Sequence, residues 1–503
     1  MDGDEVSAAR AAILDCGSAP LAGAALDELT AATERLVGCS PSAVAEYQRY
    51  LDVRRRRISV PDGRLAERLE GATVVITGDT GCIGSVLLRQ LAAYRVRRVV
   101  GVSLTSAVRP RPGAISHRVD VRDAAALVGL FRQVEPDLVF HLAAQRDPGL
   151  AERVPRTTMT TNVLGTRNVV RACETAGVSR LVLASTGKAM RPYTTSVYAA
   201  SKRISERIVA DATARGAVSG AAVRFTHVVD NAIVLDRLRG WCDRNEVIRL
   251  HNLDTLFYAQ SAIESAQLLL VAALAPHDDL FRVHAIRNVG WPLALLDLAL
   301  GAISEAGTVT PIQQVGMEAG YEDTAYPGLY DPKYSGEVSP LLNALEARTA
   351  HPTASPDVDA SSGTARLTAQ LSENVRRVER LAVTKAPLPE LRTAFDQLAR
   401  AELGQTVREA PAGVVRRITD LTAPYRASMT ADHRWTDDVF RRRVPAGAGR
   451  SVPPGSGPPR QRSGSMAAVP GPPVLQQPPV LEALPVLAEP SAGAPAVPPL
   501  QPL

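Results

Sequence analysis

The stretch GATVVITGDTGCIGSVLLRQL, residues 71–91, joins an uncharged strand, a glycine-rich turn and a helix start. Thr73 to Thr77 is a β-branched run without charge, the pattern of a central parallel strand covered on both faces. Gly78, Gly81 and Gly84 then serve three different ends, namely the tight turn, close approach of backbone to a pyrophosphate, and packing of helix on strand. Ser85 to Leu91 continues with apolar residues at helical spacing, so the unpaired amides of the helix start would face phosphates. The stretch predicts a nucleotide-phosphate site.

Downstream, strands and helices alternate. RVVGVSL (98–104), DLVFHLA (137–143), RLVLAS (180–185) and AAVRFTHVV (221–229) read as strands. Between them DAAALVGLFRQV (123–134), TTNVLGTRNVVRACETAG (160–177) and VYAASKRISERIVADATARG (197–216) read as helices, the second ended by Gly177. Helical crossovers of this length imply a parallel, Rossmann-like doubly wound α/β sheet. Residues 231 to about 345 are less regular and suit a smaller C-terminal substrate lobe.

The division expected along the chain is a helical N-terminal extension (1–70), the dinucleotide-binding core with its substrate lobe (71–350), a linker (351–364) read from the composition of HPTASPDVDASSG at 351–363, a helical C-terminal region (365–444) and a Pro-rich tail (445–503). The tail composition cannot bury enough surface to offset its ordering entropy, so a disordered tail is expected. The run Arg54 to Arg57 reads as an exposed helix face, with phosphate binding the alternative.

The 503 residues carry a formal charge of only +5, from interspersed Arg, which does not point to nucleic acid. Five scattered cysteines lack metal spacing and suit a reducing compartment. The eight histidines show no metal spacing either, and no metal is expected. An acidic start and no long uncharged apolar stretch predict a cytoplasmic protein without a membrane partner.

Tyr198 and Lys202 lie four apart at a helix start and so share a face. An ammonium beside a phenol lowers its pKa, which suits a tyrosine that moves a proton while hydride moves to or from a nicotinamide. A hydroxyl at Ser185 or Thr186, at a strand's carboxyl end, would complete the clamp on the reacting oxygen. His141 reads as a packed, hydrogen-bonded histidine. Arg146 and Asp147 follow a strand end, either facing substrate or paired with each other.

Taken together, TGDTGCIG (77–84), HLAAQ (141–145), TNVLGTRNVV (161–170), STGKA (185–189) and YAASK (198–202) resemble the extended short-chain dehydrogenase/reductase superfamily. Within it the chain is similar to the nucleotide-sugar 4,6-dehydratase and epimerase branch of polysaccharide biosynthesis, from about Gly71 to about Leu274. The resemblance implies NAD or NADP as cofactor, held by Gly78, Gly81 and Gly84 with Cys82 and Ile83, with Asp120 and Val121 near the adenine and Ala143 and Ala144 along the dinucleotide. It puts Thr186 and Tyr198 at the reacting carbon and Lys202 on the nicotinamide ribose. Lys188, Arg146 and Asn162 become substrate-side residues, a packing role for Asn162 standing as the alternative. A small-molecule substrate, a nucleotide sugar among the options, and a homo-oligomer are implied.

The departures bear on the reaction. Gly187 stands where the dehydratase branch carries an acid/base Asp, and glycine cannot transfer a proton. Thr226 and His227 replace Gly-Asn, and Leu256 replaces the Arg of Thr-Arg-Tyr, removing a bidentate phosphate partner. Ser103 offers no carboxylate to repel a 2′-phosphate, and Arg109 and Arg111 follow it. The two expectations are a hydride-transferring sugar enzyme of epimerase, dehydratase or dehydrogenase type, and a dinucleotide-binding scaffold whose chemistry has lapsed.

Overall fold

β-branched and apolar residues supply the centre of the fold: Val74, Val75 and Ile76 are fully buried, each contributing about 1.5–3 kcal/mol by leaving water. A computed structural model describes residues 3–17, 22–104, 114–231, 233–317, 319–321, 326–329, 337–363 and 366–444. Strands β1 (Thr73–Thr77), β2 (Arg98–Ser103), β3 (Ala114–Arg118), β4 (Leu138–His141), β5 (Arg180–Thr186), β6 (Ser219–Phe225), β7 (Phe281–Ile286), β8 (Ala350–Pro352) and β9 (Val358–Gly363) form one sheet in the order β8-β9-β7-β6-β5-β4-β1-β2-β3. The ladders from β3 through to β7 are parallel, whereas β9 runs antiparallel to both β7 and β8. The expected doubly wound α/β fold is therefore present. Strand order reverses between β1 and β4, where ligands bind in such sheets.

Local chemistry starts and stops the crossover helices. Asp123 accepts a hydrogen bond from the Ala126 amide at the start of Ala124–Val134, and Ser196 does the same for Ala199 at the start of Val197–Ala214. Gly177 ends Gly165–Ala176 in the left-handed region at φ 67°, which a side chain would resist.

The segment 351–364 is not a linker. Residues 350–352 and 358–363 are β8 and β9, paired on the edge of the main sheet. Ser, Asp and Pro gave no strand signal, yet Val358 and Ala360 point inward fully buried, and the Asp359 carboxylate is matched by Arg287 at 2.6 Å. Pairing with β7 overrides a weak intrinsic propensity.

The helices before and after the core are part of the same compact unit, to which every described residue belongs. Gly301 in the helix Leu295–Ala306 lets the helix Ser42–Asp52 approach closely, since a Cβ there would lie 2.5 Å from that of Tyr47. Helices Ala369–Val383, Leu388–Glu409, Ala412–Thr422 and Ala431–Arg443 add Leu371, Leu391, Leu398 and Phe440 to the core. The Pro-rich stretch from 445 onward lies outside the described residues.

Candidate active site

At the reversal point, backbone meets backbone. Gly78 takes φ 77°, and a Cβ there would lie 2.8 Å from the Ala143 amide nitrogen, so the turn after β1 and the loop after β4 touch. A Cβ on Gly84 would lie 2.2 Å from the Gly78 carbonyl oxygen. The helix Cys82–Leu91 begins at Gly81 with no side-chain cap, leaving its first amides open toward the cleft. A diphosphate fits this cradle in charge and shape, and the residues that would hold it are Gly78, Gly81, Cys82, Ile83 and Gly84. Gly84→Ala is expected to displace the turn, costing about 1–3 kcal/mol of stability and at least tenfold in dinucleotide affinity. A calorimetric titration checks this, and wild-type affinity would count against the cradle.

In the loop after β3, the Asp120 carboxylate is engaged by Arg122 at 2.5 Å, and that hydrogen bond holds it below its ordinary pKa. Asn168 donates to the carbonyls of Val121 and Arg122 at 3.0 and 3.1 Å, pinning this loop to the helix Gly165–Ala176. Ser103 ends β2, while Arg109 and Arg111 lie outside the described residues.

Asn162 sits in a one-turn π segment, Thr160–Leu164, of a kind that recurs at functional sites. Its amide accepts from the Gln145 nitrogen at 2.8 Å, donates to the Gln145 carbonyl at 3.0 Å, and donates to Ser201 at 2.9 Å. It therefore fixes the Ala143–Gln145 loop against the helix that carries Tyr198. His141 is a packed residue as expected, held by Thr77 at 2.7 Å and Thr166 at 3.1 Å. Arg146 is exposed, and of its two readings the pair with Asp147 is not formed: Asp147 caps the helix Pro148–Arg153 and lies 3.9 Å from Arg237.

The half-buried Tyr198 phenol lies near Thr186, at the carboxyl end of β5. Burial raises its pKa, while Thr186 and Arg146 pull the other way. The expectation that Lys202 does the lowering is corrected. Its ammonium donates to the Ala184 carbonyl at 2.5 Å, and burial, opposed by Glu206, pushes it down to about 8. Ser185 is likewise drawn away from the reacting position, its hydroxyl donating to Glu206 at 2.5 Å in the interior. Lys188 donates to the Gly320 carbonyl at 3.5 Å beside the Tyr321 ring, and burial lowers it to about 8. A Cβ on Gly187 would lie 2.9 Å from Leu341, so a segment remote in sequence covers this position.

Behind the site lies an ion network that sequence reading missed. Fully buried Arg224 on β6 bonds Glu206 at 2.8 and 2.9 Å and Glu346 at 2.6 and 2.8 Å. Arg203 continues it to Glu402 at 3.1 Å on the helix Leu388–Glu409. The only signal in the sequence was charge on what reads as a buried strand.

His141 and His284 are buried and pushed down to about 3, chiefly by burial, with Lys202 adding to the first and Arg282 to the second. The unfolded chain, with histidines near 6.5, binds more protons than the folded one between these values. Their stabilising contribution is complete above about 6.5 and is lost as pH falls toward 3, at up to about 1.4 kcal/mol per pH unit for each. Urea midpoints are expected to fall between pH 7 and pH 5, where carboxylates stay ionised; a flat profile would overturn this.

Comparison with known proteins gives the same direction. Residues 74–230 match the NAD dependent epimerase/dehydratase family, which bears out the resemblance and the dinucleotide expectation. The chain is 26% identical over 283 residues to the probable polysaccharide biosynthesis protein EpsC of Bacillus subtilis, covering 53% of this chain and 46% of that protein. It is 30% identical over 146 residues to a Campylobacter jejuni UDP-N-acetylglucosamine 4,6-dehydratase (inverting), covering 27% of this chain and 42% of that one. The chain thus spans about half the length of these relatives, or less. Among solved structures, Pen from Bacillus thuringiensis aligns with a TM-score of 0.48 at 19% identity, over 60% of this chain and 90% of that one. Among the described residues no helix is long and apolar enough to cross a membrane, and no group of three or more His, Cys, Asp and Glu forms a metal site.

Proposed function

We propose that the chain is a nicotinamide-dinucleotide-dependent enzyme that exchanges hydride at a secondary hydroxyl of a nucleotide-linked sugar, with Tyr198 moving the proton. The observation that carries this reading is the placement of Tyr198, in the first turn of its helix, near Thr186 at the carboxyl end of β5, on the same sheet edge as the glycine turn. The match to an NAD dependent family over 74–230 supports the cofactor.

The bound dinucleotide would supply or accept the hydride. Thr186 and Tyr198 would grip the reacting oxygen from one side, Thr186 orienting the phenol. Burial holds the phenol protonated at neutral pH, which suits donation to a carbonyl oxygen as it is reduced. That donation leaves a phenolate, which the nearby Arg146 charge stabilises, and in the reverse step the phenolate would take the proton of the hydroxyl as hydride leaves its carbon. Lys202 would hold the nicotinamide ribose on exchanging its Ala184 carbonyl for a sugar hydroxyl. Asn162 keeps the Ala143–Gln145 floor in register.

Gly187 supports epimerisation or dehydrogenation over loss of water, because nothing at that position can act as acid or base. Thermal shifts with NAD+, NADH, NADP+ and NADPH come first: a ligand at about 100 times its dissociation constant adds roughly 2.7 kcal/mol. No shift with any of the four would overturn the reading and favour the lapsed scaffold. UDP-N-acetylglucosamine and UDP-glucose are then the substrates to incubate. Hydride exchange without loss of water is the expected result, and a 4-keto-6-deoxy product would remove the argument from Gly187.

A further inference from the structure

At the amino-terminal edge of the sheet, opposite the glycine turn, β5, β6 and β7 bring two arginines into the interior. Arg180 opens β5 and is 1% exposed, and Arg282, the second residue of β7, is 6% exposed. Arg180 pairs with Ser219, the first residue of β6, and Arg282 pairs with Ala221 two residues further along that strand. Side chains alternate along a strand, so Arg180, Ser219 and Arg282 share one face. Arg180 donates to the Pro276 carbonyl at 3.1 Å, the same carbonyl that the Ser219 hydroxyl reaches at 3.4 Å. Arg282 donates to the two Asp278 carboxylate oxygens at 2.6 and 2.7 Å and to the Leu280 carbonyl at 3.1 Å. Among the described residues, Nε and Nη1 of Arg180 and Nε of Arg282 have no hydrogen-bond partner.

A buried guanidinium is unfavourable without a counter-charge, and here the charges are unequal. Among the described residues Asp278 is the one carboxylate paired with either arginine. Burial lowers Arg180 to about 10, the Arg68 and Arg282 charges add to that, and Asp278 opposes it. Beside the pair lies a cavity of about 340 Å³ whose wall includes Ser179, Ser219, His277, Asp278 and Asp279. Each arginine bonds to this wall or to its neighbour in the chain. Arg180 does so at Pro276, next to His277, whose pKa its charge helps to lower, and Arg282 does so at Asp278. The loop 276–279 that carries these acceptors is exposed, whereas the arginines behind it are not.

We propose that Arg180 and Arg282 form the floor of a phosphate site at this edge, with the Asp278 carboxylate occupying the Arg282 fork until the phosphate displaces it. A guanidinium presents a planar fork of N–H groups that matches carboxylate and phosphate oxygens alike, so the carboxylate already seated there stands in for the ligand. The unused donors of Arg180 and Arg282 and the Ser219 hydroxyl supply the remaining contacts. The loop 276–279 is the part that shifts, because Pro276 and Asp278 are the acceptors that hold the two arginines in its absence. Asp279 on the same wall disfavours a highly charged ligand, which suits free phosphate or a phosphate monoester rather than a polyphosphate. The site lies at the opposite edge from the glycine turn and does not rest on the enzyme reading.

The test is calorimetry on the full chain at constant ionic strength, with inorganic phosphate, methyl phosphate and acetate as separate probes, each with and without NAD+. Wild type is compared with Arg180→Gln, Arg282→Gln and Asp278→Asn. Saturable phosphate binding that NAD+ does not displace is expected in wild type, falling about tenfold or more in either arginine variant. Asp278→Asn is expected to bind several-fold more tightly, because the competing carboxylate is gone. Asp278 is exposed, so this variant keeps the test decisive if an arginine variant fails to fold. Methyl phosphate bound at least as tightly as inorganic phosphate assigns the site to an ester, and the reverse order assigns it to the free ion. Phosphate held in the glycine cradle would instead be displaced by NAD+ and survive Arg180→Gln, and that result overturns the site. Affinity unmoved by Arg180→Gln, no gain in Asp278→Asn, acetate bound as tightly as phosphate, or no saturable binding in wild type and Asp278→Asn alike does the same.

Discussion

Tyr198→Phe is expected to lower turnover by about 10²–10⁴-fold while leaving dinucleotide affinity within twofold of wild type. The change removes one oxygen from a half-buried ring near Thr186. Nothing in the glycine cradle contacts that oxygen, so binding and chemistry separate cleanly. Thr186→Val is the companion: it keeps the shape, removes the hydroxyl that orients the phenol, and is expected to reduce turnover less than the loss of the phenol itself. Single-turnover hydride transfer with a sugar nucleotide, read from nicotinamide absorbance, measures both. Turnover in Tyr198→Phe equal to wild type would remove the phenol from the reaction, whatever the fate of the cofactor site.

The second large effect is structural. Arg224→Leu is expected to cost about 3–5 kcal/mol, because it leaves Glu206 and Glu346 without the guanidinium that bonds both of them. Burial pushes the Glu346 carboxyl up, but Arg224 and Arg203 outweigh that and hold it below its ordinary range. Burial alone would lower Arg224, and the two carboxylates instead hold it above its ordinary value. The stabilisation therefore depends on the set remaining complete. Replacing the three together, Arg224→Leu with Glu206→Gln and Glu346→Gln, is expected to restore much of the loss, since no uncompensated charge is then buried. Urea midpoints at constant slope measure the difference. A single Arg224→Leu within 1 kcal/mol of wild type would mean that water reaches the cluster.

This network also explains why the C-terminal helices are not an appendage. Arg203 and Arg207 sit on the helix that carries Tyr198 and Lys202, and they bond Glu402 and Glu409 on the helix Leu388–Glu409. The helix that carries Tyr198 is therefore gripped from behind by residues two hundred positions later in the chain. Tyr193, just before that helix, is held the same way by Asp396.

Much of the fold is local in origin and could be read residue by residue. Strand β1 declares itself by an uncharged β-branched run, the turn by three glycines whose missing Cβ atoms make room for backbone, and the helices by caps such as Asp123 and Gly177. The pairing of Tyr198 with a strand-end hydroxyl followed from spacing along one helix and one strand. Those features depend on neighbours a few positions apart, and short-range sterics and hydrogen bonding suffice to set them.

Other features were decided only when distant segments met. Ser185 and Thr186 are adjacent hydroxyls, and only the position of Glu206 in space draws the first inward and leaves the second for Tyr198. Lys202 had the right spacing, yet the Ala184 carbonyl captures its ammonium. Polar residues 350–352 and 358–363 became strands because β7 offered an open edge. The run Arg54 to Arg57, four like residues in sequence, was sorted by tertiary contacts into a carbonyl-bound staple at Arg56 and a partly exposed cation beside Asp230 at Arg54. Periodicity and motif determined the scaffold and the nearness of Tyr198 to the end of β5, because backbone propensity and side-chain spacing act locally. The identity of the groups facing ligand was left to packing, because burial and ion pairing depend on which far parts of the chain arrive at the same place.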